Sequence, residues 1–188
     1  MSEIYIREDG GLQLDRANAL LAGIGNGSAI FQAVGAALKR AAQSGMSQAG
    51  GYASGAYNIS SGAFKSHVKS KIMMSGGSGG VTSVRLTFSG SVIRLIEFKT
   101  GFSKDGGVSV SVKKGGGAVL TRAFVGNFGR HGIYERVGKG KYALQELYGP
   151  SAAHMMMDAG VIQKMDQHIS EVFNSRIEHE ISRILNGW

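Results

Sequence analysis

Residues 116–157 read GGAVLTRAFVGNFGRHGIYERVGKGKYALQELYGPSAAHMMM, and this stretch decides the predicted fold. Two apolar runs, residues 118–125 and 133–137, are expected to form strands, because the glycines and asparagine between them suit a tight connection. Pro150, the only proline of the chain, fixes the backbone just before a helix, and Ser151 is a suitable N-cap for that helix. The stretch therefore predicts a hairpin joined by a rigid corner to a C-terminal helix.

Outward from this stretch, the hydrophobic pattern predicts further strands. Residues 81–88 alternate apolar and polar side chains, which is typical of a half-buried strand, and residues 91–98 are the expected partner. A short strand is also expected at residues 108–112, and residues 4–6 are expected to form either a short strand or an arm. Together these segments predict an antiparallel sheet of about five strands in sequential hairpins, which is an α+β fold.

Two helical regions are predicted around this sheet. Apolar residues at helical spacing begin at residue 29, and a weaker alanine-rich and glycine-rich continuation reaches residue 56. The C-terminal segment carries one apolar stripe, formed by Val161, Met165, Ile169, Val172, Phe173, Ile177, Ile181, Ile184 and Leu185. A long amphipathic helix is expected to bury such a stripe on the sheet.

The composition suits one domain with a real core. The chain has 188 residues, of which 43% are hydrophobic, and we expect a single domain over residues 1–188. Its expected parts are a mainly helical part at 1–74, a sheet with flexible loops at 75–150 and a C-terminal helix at 151–188. The chain has no cysteine, and no apolar segment approaches the ~20 residues of a membrane span. These features predict a protein made in the cytoplasm, without disulfides or membrane contact.

The net charge of +8 is unevenly distributed. No acidic residue lies between Asp15 and Glu97, whereas eight basic residues do: Arg16, Lys39, Arg40, Lys65, Lys69, Lys71, Arg85 and Arg94. The C-terminal helix carries an excess of acidic residues, namely Asp158, Asp166, Glu171, Glu178 and Glu180. This asymmetry favours a polyanion partner or head-to-tail contact between identical subunits.

No arrangement of residues predicts catalysis. The GKGK turn at residues 138–141 lacks the hydroxyl residue that follows the lysine of a phosphate-binding P-loop. The triplet at residues 178–180 points its side chains in different directions on a helix, so it cannot clasp one metal ion. Arg130, His131 and Glu135 resemble an acid–base cluster only in residue type. We therefore expect no enzyme, metal site or cofactor.

Two groups of residues have both an interface and a core interpretation. The run Met155-Met156-Met157 and the pair Met73-Met74 are either an adaptable interface or ordinary core, since methionine repacks easily. The tyrosines Tyr134, Tyr142 and Tyr148 are either interface anchors or sheet-face aromatics. The sequence leaves both alternatives open.

The stretch at 116–157 also resembles a known family. The residues concerned are Ala123-Phe124, Gly132-Ile133-Tyr134-Glu135-Arg136, Gly138-Lys139-Gly140-Lys141 and Glu146-Leu147-Tyr148-Gly149-Pro150-Ser151. Their order resembles the prophage minor tail protein Z family, the tail-completion and neck proteins of long-tailed bacteriophages. The remaining elements, a helical N-terminal half and a long C-terminal helix, follow a similar order.

The resemblance implies a virion structural protein, made in the host bacterial cytoplasm. Such a protein would form a ring of identical subunits, with six as the expected number, at the head-proximal end of the tail or in the neck. The partners that it implies are tail tube or terminator proteins, head-connector proteins and packaged DNA.

These considerations select two sets of candidate residues. The interface candidates are Arg136, Lys139, Lys141, Tyr148, Gly149, Pro150, Met155, Met156 and Met157. The candidates for facing DNA or an acidic partner are Lys65, Lys69, Lys71, Arg85 and Arg94. The alternative function is a free basic nucleic-acid-binding module, although the sequence has no helix-turn-helix, zinc-finger or stacked-aromatic motif.

Overall fold

The computed structural model describes residues 2–7, 27–77, 80–104, 106–138 and 143–186, and it has an α+β fold. Within these residues the helices are α1 (Gly27–Ala56), α2 (Ser61–His67), α3 (Ala152–Met156) and α4 (Ala159–Leu185), with a 3-10 turn at Leu95–Glu97. The strands are β1 (Ser2–Arg7), β2 (Lys69–Gly77), β3 (Gly80–Ser89), β4 (Val92–Arg94), β5 (Lys99–Phe102), β6 (Val108–Ser111), β7 (Ala118–Leu120), β8 (Ala123–Asn127), β9 (His131–Arg136), β10 (Leu144–Glu146) and β11 (Tyr148–Ser151).

The chain forms two compact units whose segments interleave in sequence. The first unit contains Met1–Ala49, Ser70–Phe88 and Ile162–Trp188, and the second contains Gly50–Lys69 and Ser89–Val161. The sheets are small and separate: β1-β3-β2, β10-β9-β8, β11-β4 and β5-β6-β7. The expectation of one sheet of about five strands was therefore wrong, because the strands form four separate sheets. The α+β class and the antiparallel hairpins are confirmed.

In the first unit, α1 carries buried small residues and contacts α4 closely at Gly45. Ala33, Ala37 and Ala41 recur at helical spacing and are buried. A Cβ atom at Gly45 would lie 2.6 Å from side-chain carbons of Ile169, so this contact requires glycine. Ile169 belongs to the predicted apolar stripe.

The burial of that stripe confirms the prediction of an amphipathic C-terminal helix. Val161, Met165, Ile169, Ile177 and Ile181 are buried. Val172 and Phe173 are half-buried. The side chains of Ile184 and Leu185 lie outside the described part of the chain.

Polar contacts also join α1 and α4. Arg40 Nη1 donates a hydrogen bond to Glu180 Oε1 at 2.7 Å, and Ser44 Oγ lies 2.8 Å from His168 Nε2. Arg183 Nη2 lies 3.1 Å from Glu180 Oε2, which allows electrostatic pairing without hydrogen-bond geometry. Glu180 is 1% exposed. The expectation that Glu180 belongs to an exposed acidic surface was therefore wrong.

The sheet of the first unit is centred on β3. The register pairs Ile4 with Leu86, and Val84, Leu86 and Phe88 are buried, which confirms the predicted alternation. The predicted partner at residues 91–98 was wrong, because the neighbours of β3 are β1 and β2. Only Val92–Arg94 is extended in that segment before the 3-10 turn begins.

In the second unit, a break at Asp158 divides the predicted C-terminal helix into α3 and α4. Asp158 Oδ1 accepts a hydrogen bond from the backbone N–H of Gly160 at 3.0 Å. Asp158 therefore caps α4, because it supplies a partner for one N–H group of the first turn. Lys113 Nζ donates to Asp158 Oδ2 at 2.6 Å. The Tyr57 hydroxyl lies 3.4 Å from the same oxygen. Burial and the Asp158 charge raise the pKa of Tyr57.

The first prediction concerns the apolar stripe of α4. Ile169→Asp should lower the free energy of unfolding by at least ~3 kcal/mol, because it buries an unpaired charge against Gly45. Asp166→Ala is the matched control, since Asp166 is exposed on the same helix, and it should change stability by less than ~0.5 kcal/mol. Denaturant melts measure both values. Equal stabilities for the two variants would contradict this packing.

The second prediction concerns the pH dependence of the Asp158 contacts. The hydrogen bond from Lys113 holds the pKa of Asp158 below its ordinary value of 3.8. A folded-state pKa below the unfolded value means that the charged form stabilises the fold above the unfolded pKa. That contribution is lost as the pH falls through the folded pKa.

Asp158→Asn tests this dependence, because asparagine also caps helices but cannot hold the charge. The variant should melt at a lower temperature than wild type at about pH 6, and the difference should shrink below about pH 4. Melting curves across this range measure the effect. A difference in melting temperature that does not change with pH would refute it.

Candidate assembly surface

The sheet β8-β9-β10 of the second unit presents an aromatic face. Phe124 lies opposite Tyr134, and Tyr134 lies opposite Glu146, so these three side chains share one face of the sheet. Phe128 lies in the turn between β8 and β9, where Gly129 has a φ of 85°. That positive φ is unfavourable for other residues, so the glycine permits the tight turn.

Phe128 folds back over this face. Its ring centroid lies 6.1 Å from that of Phe124 and 5.1 Å from that of Tyr134, and both pairs are edge-to-face. A Cβ atom at Gly126 would overlap the Phe128 ring, so the glycine makes room for it. Phe128 nevertheless remains 56% exposed.

Two arginines flank the aromatic rings. The Arg136 guanidinium lies 5.7 Å from the Phe124 ring centroid, within cation–π range. Arg130 Nη2 lies 3.1 Å from Glu146 Oε2, and the Tyr134 hydroxyl donates to the Arg130 carbonyl at 2.9 Å. We call Phe124, Phe128, Arg130, Tyr134 and Arg136 the aromatic–arginine face. Aromatic and arginine side chains are the residue types enriched at protein interfaces.

The Glu146 side chain lies on this face and is largely buried there. It is 8% exposed, and the Tyr148 hydroxyl donates to Oε2 at 2.8 Å. Oε1 has no hydrogen-bond partner and lies over Gly132, where a Cβ atom would be only 2.8 Å away. The hydrogen bond to Glu146 raises the pKa of Tyr148. Glu146 therefore fixes both Arg130 and Tyr148.

Residues 146–151, which read ELYGPS, form the corner that leads from Glu146 to α3. β11 pairs with β4, with Tyr148 opposite Arg94, and the register shifts before Ser151. A Cβ atom at Gly149 would lie 2.8 Å from the Phe98 ring, so the corner packs tightly on that ring. Ser151 Oγ accepts from the His154 N–H at 3.1 Å, which confirms the predicted N-cap.

Arg94, which lies opposite Tyr148, belongs to an ion-pair cluster with Glu97 and His67. Glu97 accepts hydrogen bonds from Arg94 Nε at 3.1 Å, and Glu97 Oε2 lies 2.9 Å from His67 Nε2. The Arg94 charge is therefore compensated within the unit, which weakens its candidacy for DNA contact. The enzyme-like grouping of Arg130, His131 and Glu135 is not formed as one cluster, because Arg130 pairs with Glu146.

The other interface candidates differ in their exposure to solvent. Tyr148, Arg136 and Met157 are exposed, and Gly149 and Pro150 are half-buried. Lys139 and Lys141 lie outside the described residues. Met155 and Met156 are both 0% exposed, so they are core residues at the C-terminal end of α3, and their selection as interface residues was wrong.

The candidate DNA-facing residues belong to both units. Lys65 and Lys69 of the second unit are exposed, as is Lys71 of the first. Arg85 of the first unit is half-buried on β3, opposite Tyr5 in the register.

Sequence reasoning missed the role of Phe128. It lay in a predicted turn, where a large aromatic residue is unusual, and that was the available signal. Phe102 was also missed and is 83% exposed at the end of β5. An open depression of about 400 Å³ lies on the same sheet, and among the described residues that line it Lys99 alone is charged.

No group of three metal-ligating side chains occurs among the described residues. Within the same residues, no helix combines the length and the apolar character that a membrane span requires. Comparisons with protein-family models, curated proteins and solved structures found no match.

The third prediction concerns the corner. Gly149→Ala should lower the free energy of unfolding by roughly 1–3 kcal/mol, because the added methyl group overlaps the Phe98 ring. Gly55→Ala is the control, since a Cβ atom there meets nothing within 4 Å and the site is helical. It should be neutral or stabilising by up to ~1 kcal/mol. Thermal melts compare the two, and a neutral Gly149→Ala would contradict the close packing.

Proposed function

We propose that this chain is a structural protein of a tailed bacteriophage or prophage virion, a minor tail or tail-completion protein. It assembles as a ring of identical subunits at the head-proximal end of the tail or in the neck, and it joins tail to head. Its role is structural rather than enzymatic. Its neighbours are tail tube or terminator proteins and head-connector proteins.

The observation that carries this proposal is the aromatic–arginine face. It lies on the stretch whose residues resemble the prophage minor tail protein Z family, and it exposes Phe128 beside two arginines. An exposed aromatic held in one geometry by its neighbours loses little conformational entropy on binding. Such a face supports a protein contact better than a catalytic role.

The charge distribution supports an assembly that apolar contacts dominate. Four basic side chains, Arg40, Arg94, Lys113 and Arg130, already pair with carboxylates of the same unit. The burial of Glu180 removes one carboxylate from the acidic surface that the sequence suggested for head-to-tail contact. We therefore expect ring formation to depend on Phe128 more than on salt concentration.

One observation favours the alternative, a nucleic-acid-binding module. Lys65 and Lys69 are exposed, and neither forms an ion pair with another described residue. Two such lysines can contact phosphates, and binding through phosphate contacts falls steeply with salt. In the assembled ring the same residues would contact packaged DNA.

The fourth prediction tests the ring. Wild-type protein should sediment as one closed oligomer over a range of concentrations, and Phe128→Ser should weaken assembly at least tenfold, because it removes an apolar anchor. The variant should remain folded, since Phe128 is largely exposed. Ile162→Ser replaces an apolar residue of α4 that is also exposed, and it should assemble as wild type does.

Two outcomes would overturn the proposal. The first is a wild-type protein that is monomeric at every concentration. The second is normal assembly of the folded Phe128→Ser variant. Steep, salt-dependent DNA binding by a monomeric wild type would instead support the alternative module.

A further inference from the structure

The first unit contains a sheet with two open edges. Its strand order is β1-β3-β2, so β1 and β2 are the outer strands on opposite sides of β3. Among the described residues, neither outer strand pairs with a further strand on its free side. Within the described part of the chain, each edge therefore presents a row of backbone N–H and C=O groups without a strand partner.

Strand β2 is exposed on both faces. From Lys69 to Gly76 every residue except Ile72 is exposed, and Ile72 is half-buried. Met73 and Met74 point to opposite faces, as neighbours on a strand do, and they are 42% and 45% exposed. A strand with no buried face gains little stability from side-chain packing within its own unit.

This edge also lacks the usual protection against pairing. Native edge strands are commonly short, charged, bulged or interrupted by proline. β2 has nine residues, and its segment from Ile72 to Gly77 contains no charge and no proline. The two lysines, Lys69 and Lys71, lie at its N-terminal end. The unprotected segment is suited to backbone pairing with another strand.

We infer that β2 of one subunit pairs with β1 of a second copy of this chain, and this inference rests on the ring proposed above. A closed ring needs a heterologous contact, in which one surface of a subunit meets a different surface of the next. The two edges of one sheet meet this requirement, because each copy offers β2 and accepts through β1. A β2-to-β2 contact would instead form a two-fold dimer and leave both β1 edges unpaired.

The strand directions agree with this arrangement. β1 is antiparallel to β3, and β2 and β3 are adjacent strands separated by only two residues, which requires an antiparallel hairpin. β1 and β2 therefore run in the same direction. A modest rotation from one ring subunit to the next preserves that direction, so the contact between subunits is a parallel strand pair.

A pair of proline substitutions tests the contact. Backbone N–H groups of successive strand residues point to opposite sides, so Met73→Pro and Met74→Pro remove N–H groups on different edges of β2. One variant loses a bond to β3, and the other loses a bond that only a neighbouring subunit can accept. We expect one variant to melt near the wild-type temperature while its assembly is weakened at least tenfold.

Engineered disulfides provide a second readout, because the chain has no cysteine. Double variants combine Ile4→Cys or Tyr5→Cys with Met73→Cys or Met74→Cys. Within one subunit β1 and β2 are two strand spacings apart, about 9.6 Å, which exceeds the ~7 Å limit for a disulfide. Oxidised rings should therefore give a ladder of covalent multimers on non-reducing gels, and the single-cysteine controls should not.

The outcomes separate this inference from the proposed ring. A monomeric wild type refutes the ring and the strand pairing together. If the wild type forms rings, and the proline variant that keeps the wild-type melting temperature assembles normally, the strand pairing is refuted but the ring is not. If both proline variants unfold, the ladder decides: its presence supports the contact and its absence overturns it. Dimers cross-linked by Met74→Cys alone would show a two-fold contact and would also overturn the inference.

Discussion

The close contact between Gly149 and the Phe98 ring fixes the corner of the second unit. Because no Cβ atom is present at Gly149, β11 can lie directly on the ring and pair with β4. The pairing in turn places Tyr148 beside Arg94 and lets Ser151 cap α3. On the N-terminal side of Gly149, the same segment places Glu146 beside Tyr134 on the aromatic–arginine face. The geometry of the candidate surface therefore depends on a steric constraint at one glycine.

Internal ion pairs change the meaning of the charge pattern. In the sequence, a basic N-terminal half and an acidic C-terminal helix look like two separate surfaces. In the fold, Arg40 pairs with Glu180 and Lys113 pairs with Asp158, so charges from distant segments neutralise each other. The Glu180 carboxylate is withdrawn from solvent by this pairing. In the proposed ring, apolar side chains and strand edges would then supply the contacts between subunits, and salt affects such contacts weakly.

The local hydrophobic pattern predicted those elements whose buried residues recur at the regular spacing of a strand or a helix. The alternation of β3, the stripe of α4 and the Ser151 cap could be identified because each leaves a signal within a few residues. Strand β2 left none, since neither of its faces is buried and its composition of methionine, serine and glycine resembles a loop. The pairing of β4 with β11 was also missed, because it joins segments about fifty residues apart. Met155 and Met156 had no local signal that could separate core from interface.

The proposed ring requires identical subunits that join head to tail and close on themselves. Electron microscopy of the purified protein is the decisive measurement, because class averages show both closure and symmetry. We expect closed rings of one diameter with cyclic symmetry. Isolated compact particles at all concentrations, or only two-fold dimers, would contradict it.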